Sequence, residues 1–353
     1  MVNKNESYIP LPESKGTFRF AQSAEEKKAS CGFNAEKLGY AQQFQYYLNS
    51  GDSFGVVVLR NGWMADEYYT YNVLEGTSFD IWSGTKSFTS MAFACLMEDR
   101  QGEISYLSKV YDFIPHEYHP DDKRRLNITI GQLLSMTSGL RGAANGGVGM
   151  GVPYEHGAFE YALGCAPNRQ GLMCDLLSEP GTNYVYCDAG YSLLSLIFCY
   201  ITGEELHNYV FRKIFQKIGV ESSHWDMQGG HGLIGPFTNG HTGLHLSVRD
   251  LARVGYLLLS MGIWGNERIL PEWFFRQISL VEAANPCYGN GFWKNHDRRV
   301  IPNAPEDTYF MNGYRSNRCF IIPSLDLVVS RCGTGPAQWN EGKLLGDIVS
   351  AIL

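Results

Sequence analysis

A β-hairpin pattern near each end of the chain, with helical patterns between, constrains the fold most. Ser53–Arg60 is a run of apolar and β-branched residues, and Asn61-Gly62 separates it from a second such run over Trp63–Tyr71. Asn-Gly between two such runs is the strongest short-range signal for a hairpin. Near the other end, the runs Arg318–Ile322 and Leu325–Ser330 meet at a turn that begins at Pro323. Strands at both ends indicate that the terminal segments share one sheet.

The middle of the chain is predicted to be mostly helical, because apolar residues recur there at helical spacing. The predicted helices are Phe33–Asn49, Ser83–Asp99, Thr129–Met136, Tyr191–Thr202, His207–Ile218, Asp250–Met261 and Glu341–Leu353. Ser247 and Asp250 have the spacing of a capping box. We therefore predict an N-terminal arm (1–35), a discontinuous α/β sheet domain (36–82 and 235–353) and a mostly helical domain (83–234).

Composition excludes several classes of function. The 353 residues can bury a large core without disulfide or metal staples, and the net charge of −7 argues against nucleic-acid or anionic-membrane partners. The most apolar stretches, 91–97 and 193–198, are far too short to span a membrane, and the first thirty residues lack an apolar signal core. A signal peptide already removed would leave no trace.

The cysteines predict the redox compartment. There are nine of them, an odd number, without any C-x-x-C pair. We interpret them as reduced, buried thiols and expect a cytoplasmic protein. A small-molecule substrate and a homo-oligomeric state are both compatible with this composition.

The tetrad Ser83-Gly84-Thr85-Lys86 is the first candidate for chemistry. At a helix start this spacing puts Ser83 and Lys86 on one face, so that an unprotonated lysine can take the serine proton. The helix N-terminus and the serine N–H would favour a developing oxyanion. The pattern alone is weak, because the 26 serines and 12 lysines of this chain predict about one match by chance.

The flanking segments make the tetrad specific. Ile81-Trp82 precedes it, an apolar helix follows it, and two further segments come in order: 128–140 (ITIGQLLSMTSGL) and 179–194 (EPGTNYVYCDAGYSLL). With these three segments the chain resembles, from about Ser53 onwards, the serine hydrolase family of class C β-lactamases, penicillin-binding D-alanyl-D-alanine carboxypeptidases and related esterases and amide hydrolases. The resemblance implies an α/β (α+β) β-lactamase-like fold, with an antiparallel sheet, flanking terminal helices and an inserted helical domain.

The resemblance also implies roles for individual residues. Ser83 would be the acylated nucleophile, Lys86 its base partner, and Tyr186 a second proton-transfer residue. The family motif usually reads Tyr-x-Asn, whereas this chain has Tyr186-Cys187-Asp188. An Asp at this place could pair with Lys86 and hold it charged, which would move the base role towards Tyr186. The alternative for Tyr186 is a core tyrosine with a satisfied hydroxyl.

The third family motif, Lys/His-Thr-Gly, is expected on the strand before the terminal hairpin. That region is Thr308–Gly313 (TYFMNG), which lacks the motif. His241-Thr242-Gly243 comes too close to the capped helix, so we interpret it as a decoy. The backbone N–H near Met311 can still complete an oxyanion hole, and either Arg315 or Arg318 could replace the missing cation. Other side chains expected near the cleft are Trp82, Trp225, Trp293 and Asn312.

Two histidine pairs invite a metal interpretation. His241 and His245 are four residues apart, and His116 and His119 are three apart, but neither pair has an H-E-x-x-H context. We interpret them as loop or surface histidines and predict no metal and no other cofactor. The glycine-rich tract 142–151 follows a helix rather than a strand, which favours a mobile loop over a phosphate cradle.

The sequence therefore predicts a serine hydrolase that cleaves an ester, amide or small peptide bond through an acyl-enzyme on Ser83. Two alternatives remain. An acyltransferase would use the same acyl-enzyme with an amine or alcohol acceptor. A non-catalytic, penicillin-binding-like sensor module would use the same fold, although the intact set of Ser83, Lys86 and Tyr186 argues against it.

Overall fold

The two terminal hairpins lie side by side in one antiparallel sheet, and the second strand of the N-terminal hairpin forms one of its edges. This is seen in a computed structural model, which describes residues 8–39, 52–70, 72–149, 153–229, 234–335 and 340–353. Among the described residues, seven strands form the sheet, in the order β10 (Tyr288–Gly289), β11 (Phe292–Lys294), β12 (Tyr309–Gly313), β13 (Asn317–Ile322), β14 (Leu327–Gly333), β1 (Phe54–Arg60) and β2 (Trp63–Tyr69). Strand β1 pairs with β14 on one side and β2 on the other, so the sheet joins the two ends of the chain as predicted.

The strands follow the predicted runs closely. Asn61 and Gly62 have φ of 54° and 72°, the left-handed conformation that a tight hairpin turn needs and that Asn and Gly tolerate. The strands are β1 Phe54–Arg60, β2 Trp63–Tyr69, β3 Ser78–Asp80, β4 His224–Trp225, β5 Met227–Gln228, β6 Phe237–Thr238, β7 Leu244–Ser247, β8 Ile263–Trp264, β9 Glu267–Arg268, β10 Tyr288–Gly289, β11 Phe292–Lys294, β12 Tyr309–Gly313, β13 Asn317–Ile322 and β14 Leu327–Gly333.

Helices fill the middle of the chain and its C-terminus. They are α1 Ala24–Cys31, α2 Thr85–Asp99, α3 Ile130–Leu134, α4 Ala158–Leu163, α5 Asp188–Thr202, α6 Leu206–Val210, α7 Gln216–Ile218, α8 Val248–Leu259, α9 Glu272–Ser279 and α10 Glu341–Ser350. A π-helical segment, Phe211–Phe215, joins α6 to α7 where one continuous helix was predicted. The predicted helix Phe33–Asn49 is helical at 35–39, and its residues 40–49 lie outside the described part.

The sheet is buried on both faces, which explains why β1 has no polar side chain from Phe54 to Leu59. Val57 and Leu59 belong to a large core that they share with α2, α5 and α8. Val56 and Val58 face a smaller core on the other side, where α10 contributes Leu344, Leu345 and Ile348. Alternate residues of a strand point to opposite faces, so each face of β1 meets its own layer of helices.

The N-terminal segment packs along the same sheet. Helix α1 has a complete capping box at Ser23 and is tied to β2 by an ion pair of 3.0 Å between Lys27 and Asp66. The division of the chain into arm, sheet domain and helical domain stays a prediction. Among the described residues, every helix falls short of the length and apolar character that crossing a membrane requires.

Candidate active site

Ser83 lies in a one-turn 3₁₀ segment, Trp82–Gly84, directly before α2. Trp82 has φ of 51°, a conformation that costs energy for a residue with a side chain. The turn is held from the preceding strand, because Asp80 Oδ1 accepts a hydrogen bond of 2.7 Å from the Trp82 N–H. Helix α2 runs through the large core, so Ser83 is displayed at the end of a rigid element.

Lys86 is buried, with 1% of its surface exposed, and its ammonium group meets three partners. Nζ lies 3.0 Å from Ser83 Oγ, 2.8 Å from Asp188 Oδ1 and 3.0 Å from the carbonyl oxygen of His241. The same nitrogen lies 4.9 Å from the centre of the Tyr186 ring. Two segments that are distant in the sequence, one around Asp188 and one around His241, therefore meet the segment of Ser83 and Lys86.

The charges at this point stabilise each other. Burial alone would lower the pKa of Lys86, but the carboxylate of Asp188 and the oxygen of Tyr186 outweigh burial and raise it above the ordinary value. Burial alone would raise the pKa of Asp188, but the charge of Lys86 holds it below the ordinary value. Lys86 is thus an ammonium, and Asp188 a carboxylate, at neutral pH.

Contacts with segment 128–140 hold the Tyr186-Cys187-Asp188 segment in place. The Val185 N–H donates to the Met136 carbonyl at 2.9 Å, and the Cys187 N–H lies 3.1 Å from Met136 Sδ. Asp188 is the first residue of α5, whose first turn favours a negative charge. A Cβ at Gly142 would lie 2.3 Å from the Tyr186 carbonyl oxygen, so the glycine lets the neighbouring loop approach. Residues 150 and 151 of the glycine-rich tract lie outside the described part.

His241 contacts Lys86 in the structure, although its sequence context gave no sign of this contact. It does lie in a loop away from β12, but it is buried rather than on the surface. Its ring Nδ1 lies 3.4 Å from Ser192 Oγ, and its carbonyl accepts from Lys86. Burial, reinforced by the charge of Lys86, outweighs the opposing carboxylate of Asp188 and lowers the pKa of His241 to about 4. A neutral ring therefore lies beside the Lys86–Asp188 pair.

The last residue of strand β12 borders the turn that carries Ser83. A Cβ at Gly313 would lie 1.9 Å from the Ile81 carbonyl oxygen, so only glycine permits this approach. The side chain of Met311, two residues earlier, is buried in the large core. Asn312 is half-buried and paired in register with Arg318.

Aromatic side chains surround the same turn. The Trp82 ring meets the Tyr314 ring edge-on, with centroids 5.3 Å apart. Trp293 packs against Tyr288, whose ring in turn lies 6.3 Å from that of Tyr186. Trp225, expected near the cleft, is buried and donates to the Asn239 carbonyl at 2.6 Å, so it supports the loop that carries His241.

The two candidate cations differ in their availability. Arg318 forms an ion pair of 2.5 Å with Glu341 of α10, and most of its side chain is buried. Arg315 is exposed, and its guanidinium lies 5.8 Å from the ring of Tyr314. Of this pair, Arg315 is the one with its guanidinium accessible to solvent.

The two histidine pairs that were considered as metal ligands have different surroundings in the structure. The rings of His116 and His119 contact each other at a tilt of 52°, with centroids 4.5 Å apart. His245 joins His224 and Asp226 instead of His241, and the ligand atoms of these three residues lie within 4.8 Å of one another.

Comparisons with known proteins agree with this architecture. A family model described as Beta-lactamase matches residues 50–332. A protein of Escherichia coli strain K12 named "Putative D-alanyl-D-alanine carboxypeptidase" is 27% identical, over 90% of this chain and 86% of its own length.

Solved structures share the fold at lower identity. A penicillin-binding protein homologue from Caulobacter crescentus superposes with a TM-score of 0.68 at 16% identity, covering 92% of this chain and 99% of its own. A structure described as "EstCE1, a hydrolase with promiscuous acyltransferase activity" gives 0.70 at 18% identity, covering 90% and 98%. At such identities the likeness concerns the fold.

Proposed function

This chain belongs to the β-lactamase family and is a serine hydrolase, and from that premise we propose that it cleaves an ester, amide or small peptide bond through an acyl-enzyme on Ser83. The observation that carries the proposal is the set of short distances at Lys86, with Ser83 Oγ at 3.0 Å and Asp188 Oδ1 at 2.8 Å. A buried, charged lysine next to a serine hydroxyl is costly to maintain, which favours a chemical role.

Tyr186 is the group we assign to proton transfer. Lys86 is already protonated through its pair with Asp188 and has no lone pair to offer. Its ammonium faces the Tyr186 ring at 4.9 Å and would stabilise negative charge on the phenolic oxygen. Tyr186 would then take the proton of Ser83 as Oγ attacks the carbonyl carbon.

The remaining steps follow from the same groups. The leaving alcohol or amine would receive its proton from Tyr186, which leaves an ester on Ser83. A water molecule would then attack this ester and give a proton to Tyr186, which passes a proton to Ser83 Oγ as the bond between Oγ and the acyl carbon breaks. The oxyanion would be stabilised by the Ser83 N–H at the start of α2 and by a backbone N–H at the end of β12, near Gly313.

Covalent labelling tests this function. An alkyl phosphonate with a good leaving group should add one mass to the peptide that contains Ser83. Ser83→Ala should lose both the label and at least about a thousandfold in kcat. Ser87→Ala is the matched control, because Ser87 lies one turn further on, with its hydroxyl bonded to the Gly291 carbonyl at 2.6 Å. Labelling of a residue other than Ser83 would overturn the assignment.

Acyl transfer to an alcohol or amine is a second candidate function. It is favoured by the structural neighbour described as a hydrolase with promiscuous acyltransferase activity. Product analysis with an added alcohol separates the two functions. A hydrolase gives free acid as the main product, whereas an acyltransferase gives mostly the new ester at modest alcohol concentration.

A further inference from the structure

A row of polar side chains crosses the three-stranded sheet β3-β7-β4, beside the nucleophile turn. His245 of β7 lies opposite Asp80 of β3 on one side and His224 of β4 on the other. Directly opposed residues of antiparallel strands point to the same face, so all three side chains share one surface. Asp226, two residues after His224, brings a second carboxylate to this row.

We infer that His224, Asp226 and His245 bind a divalent metal ion of borderline softness, such as Zn²⁺. Asp226 Oδ1 lies 2.9 Å from His224 Nε2 and 3.6 Å from His245 Nε2. Ligands about 2.0–2.1 Å from a tetrahedral zinc ion are about 3.3 Å apart, and the two distances bracket this value. Two imidazoles with one carboxylate form a donor set that suits Zn²⁺ better than Mg²⁺ or Ca²⁺.

The backbone conformation at Gly243 allows the three residues to approach one another. Gly243 has φ of 84°, and a Cβ there would lie 2.6 Å from the Asp226 Cβ, so glycine is needed for Asp226 to sit where it does. The Asp226 N–H donates to the Gly243 carbonyl at 2.8 Å, which fixes the loop against β7. The side chains of His224, Asp226 and His245 are 70%, 49% and 30% exposed, so an ion can enter and keep a water ligand.

The site is connected to the proposed catalytic groups without containing any of them. Asp80 Oδ1 accepts from both the Trp82 N–H, at 2.7 Å, and the Gly243 N–H, at 3.2 Å. An ion on this face would therefore stabilise the turn before Ser83 and the loop that carries His241. Because its three ligands do not include Ser83, Lys86 or Tyr186, we assign the ion a stabilising role. This inference does not depend on the proposed function.

A second cluster, His296, Asp297 and Glu306, provides a comparison. There Asp297 Oδ2 already binds the guanidinium of Arg299 at 2.9 Å, and it lies 3.5 Å from His296 Nε2. A guanidinium on the same carboxylate opposes the binding of a second cation. We therefore place the ion in the first cluster and use the second as the control.

Calorimetric titration of the chelator-treated full-length protein with ZnCl₂ tests the inference. One Zn²⁺ should bind per chain, with affinity at least tenfold weaker in His224→Ala and in Asp226→Asn. His296→Ala should bind like the wild type. At a free Zn²⁺ concentration of about one hundred times Kd, the Tm of the wild type should rise by roughly 3 °C.

His224 is exposed, so His224→Ala is expected to fold, and the Tm of each metal-free variant verifies this. Bound Co²⁺ should also give the intense visible bands of a tetrahedral site, and these should be absent in His224→Ala. Unchanged affinity in His224→Ala would overturn the inference, as would loss of binding in His296→Ala alone. A wild type that binds no Zn²⁺ would overturn it too, while leaving Ser83 labelling unaffected.

Discussion

The ammonium of Lys86 lies 2.8 Å from the carboxylate of Asp188. Asp188 occupies the position where the family motif usually has Asn. An amide at this place would leave the lysine charge without its nearest counter-charge. The carboxylate instead raises the pKa of Lys86 and fixes it as an ammonium. In the mechanism that we propose, this difference leaves Tyr186 as the side chain that accepts the proton of Ser83.

Asp188→Asn should move the alkaline limb of the pH profile. Asp188 raises the pKa of Lys86, so its removal lowers that pKa and Lys86 should lose its proton at lower pH. If the charged lysine is needed, the pH at which kcat/KM declines on the alkaline side should be lower by at least about one unit. Asp175→Asn, which disrupts an exposed ion pair with Arg141, is the control. An unchanged alkaline limb would contradict the assigned charge states.

Lys86 and Tyr186 should behave as one unit. Lys86→Met and Tyr186→Phe should each reduce kcat by roughly a hundredfold or more, since each removes part of the same proton transfer. The double variant should be little worse than either single variant. Steady-state kinetics on one activated ester provides all three values. Losses that multiply in the double variant would mean that the two side chains act independently.

His241 should make the protein sensitive to mild acid. The pKa of its ring falls from 6.5 to about 4 on folding, so its neutral form contributes stability that is complete above about pH 6.5. This contribution, about 3 kcal/mol, is lost as pH falls from 6.5 through 4. Urea unfolding at pH 7, 5 and 4 should therefore show a steeper loss of unfolding free energy in the wild type than in His241→Gln. The exposed His116→Gln variant should follow the wild type, and equal slopes in all three would refute the assignment.

Substrates with a free carboxylate should be poor ones. Strand β12 lacks the Lys or His and the Thr of the family's Lys/His-Thr-Gly motif. Arg318 already forms an ion pair with Glu341. A missing charge-assisted contact costs about 1.5–3 kcal/mol, or ten- to a hundredfold in binding. A neutral short-chain ester should thus exceed a chromogenic cephalosporin at least tenfold in kcat/KM. If the cephalosporin wins and Arg315→Ala abolishes its advantage, Arg315 supplies the missing cation.

A chelator should leave hydrolysis intact while removing the thermal shift caused by Zn²⁺. None of the proposed chemical steps uses a metal, and His224, Asp226 and His245 lie outside the catalytic set. Turnover and Tm measured on the same chelated sample check both statements. Loss of turnover that Zn²⁺ restores would contradict the separation of the two sites.

The sheet was predictable because its signals are local. Asn61-Gly62 and the turn at Pro323 each specify a hairpin within a few residues, and both hairpins are confirmed. The family motifs likewise indicated that Asp188 could pair with Lys86, and the two side chains lie 2.8 Å apart. The π-helical segment was not predictable, because the apolar spacing of His207–Ile218 is also that of an ordinary helix.

His241 escaped prediction for a physical reason. It meets Lys86 through its backbone carbonyl, 155 residues away in the sequence, and a carbonyl carries no sequence signal. The grouping of His245 with His224 and Asp226 depends on the register of β7 against β4, which the spacing of His241 and His245 does not encode. Motif spacing identifies partners on one helix or strand, whereas these contacts join separate elements.

The pairing of β1 with β14 has a consequence for how the protein is made. In the order of synthesis, Ser83 and Lys86 come long before β12 and β14, which begin at Tyr309 and Leu327. The sheet therefore closes late, through contacts between residues far apart in sequence, which form slowly. A nascent chain that stops before Tyr309 would carry Ser83 without its neighbouring strand. On the proposed function, acylation of Ser83 would therefore begin only after the ribosome has passed β14.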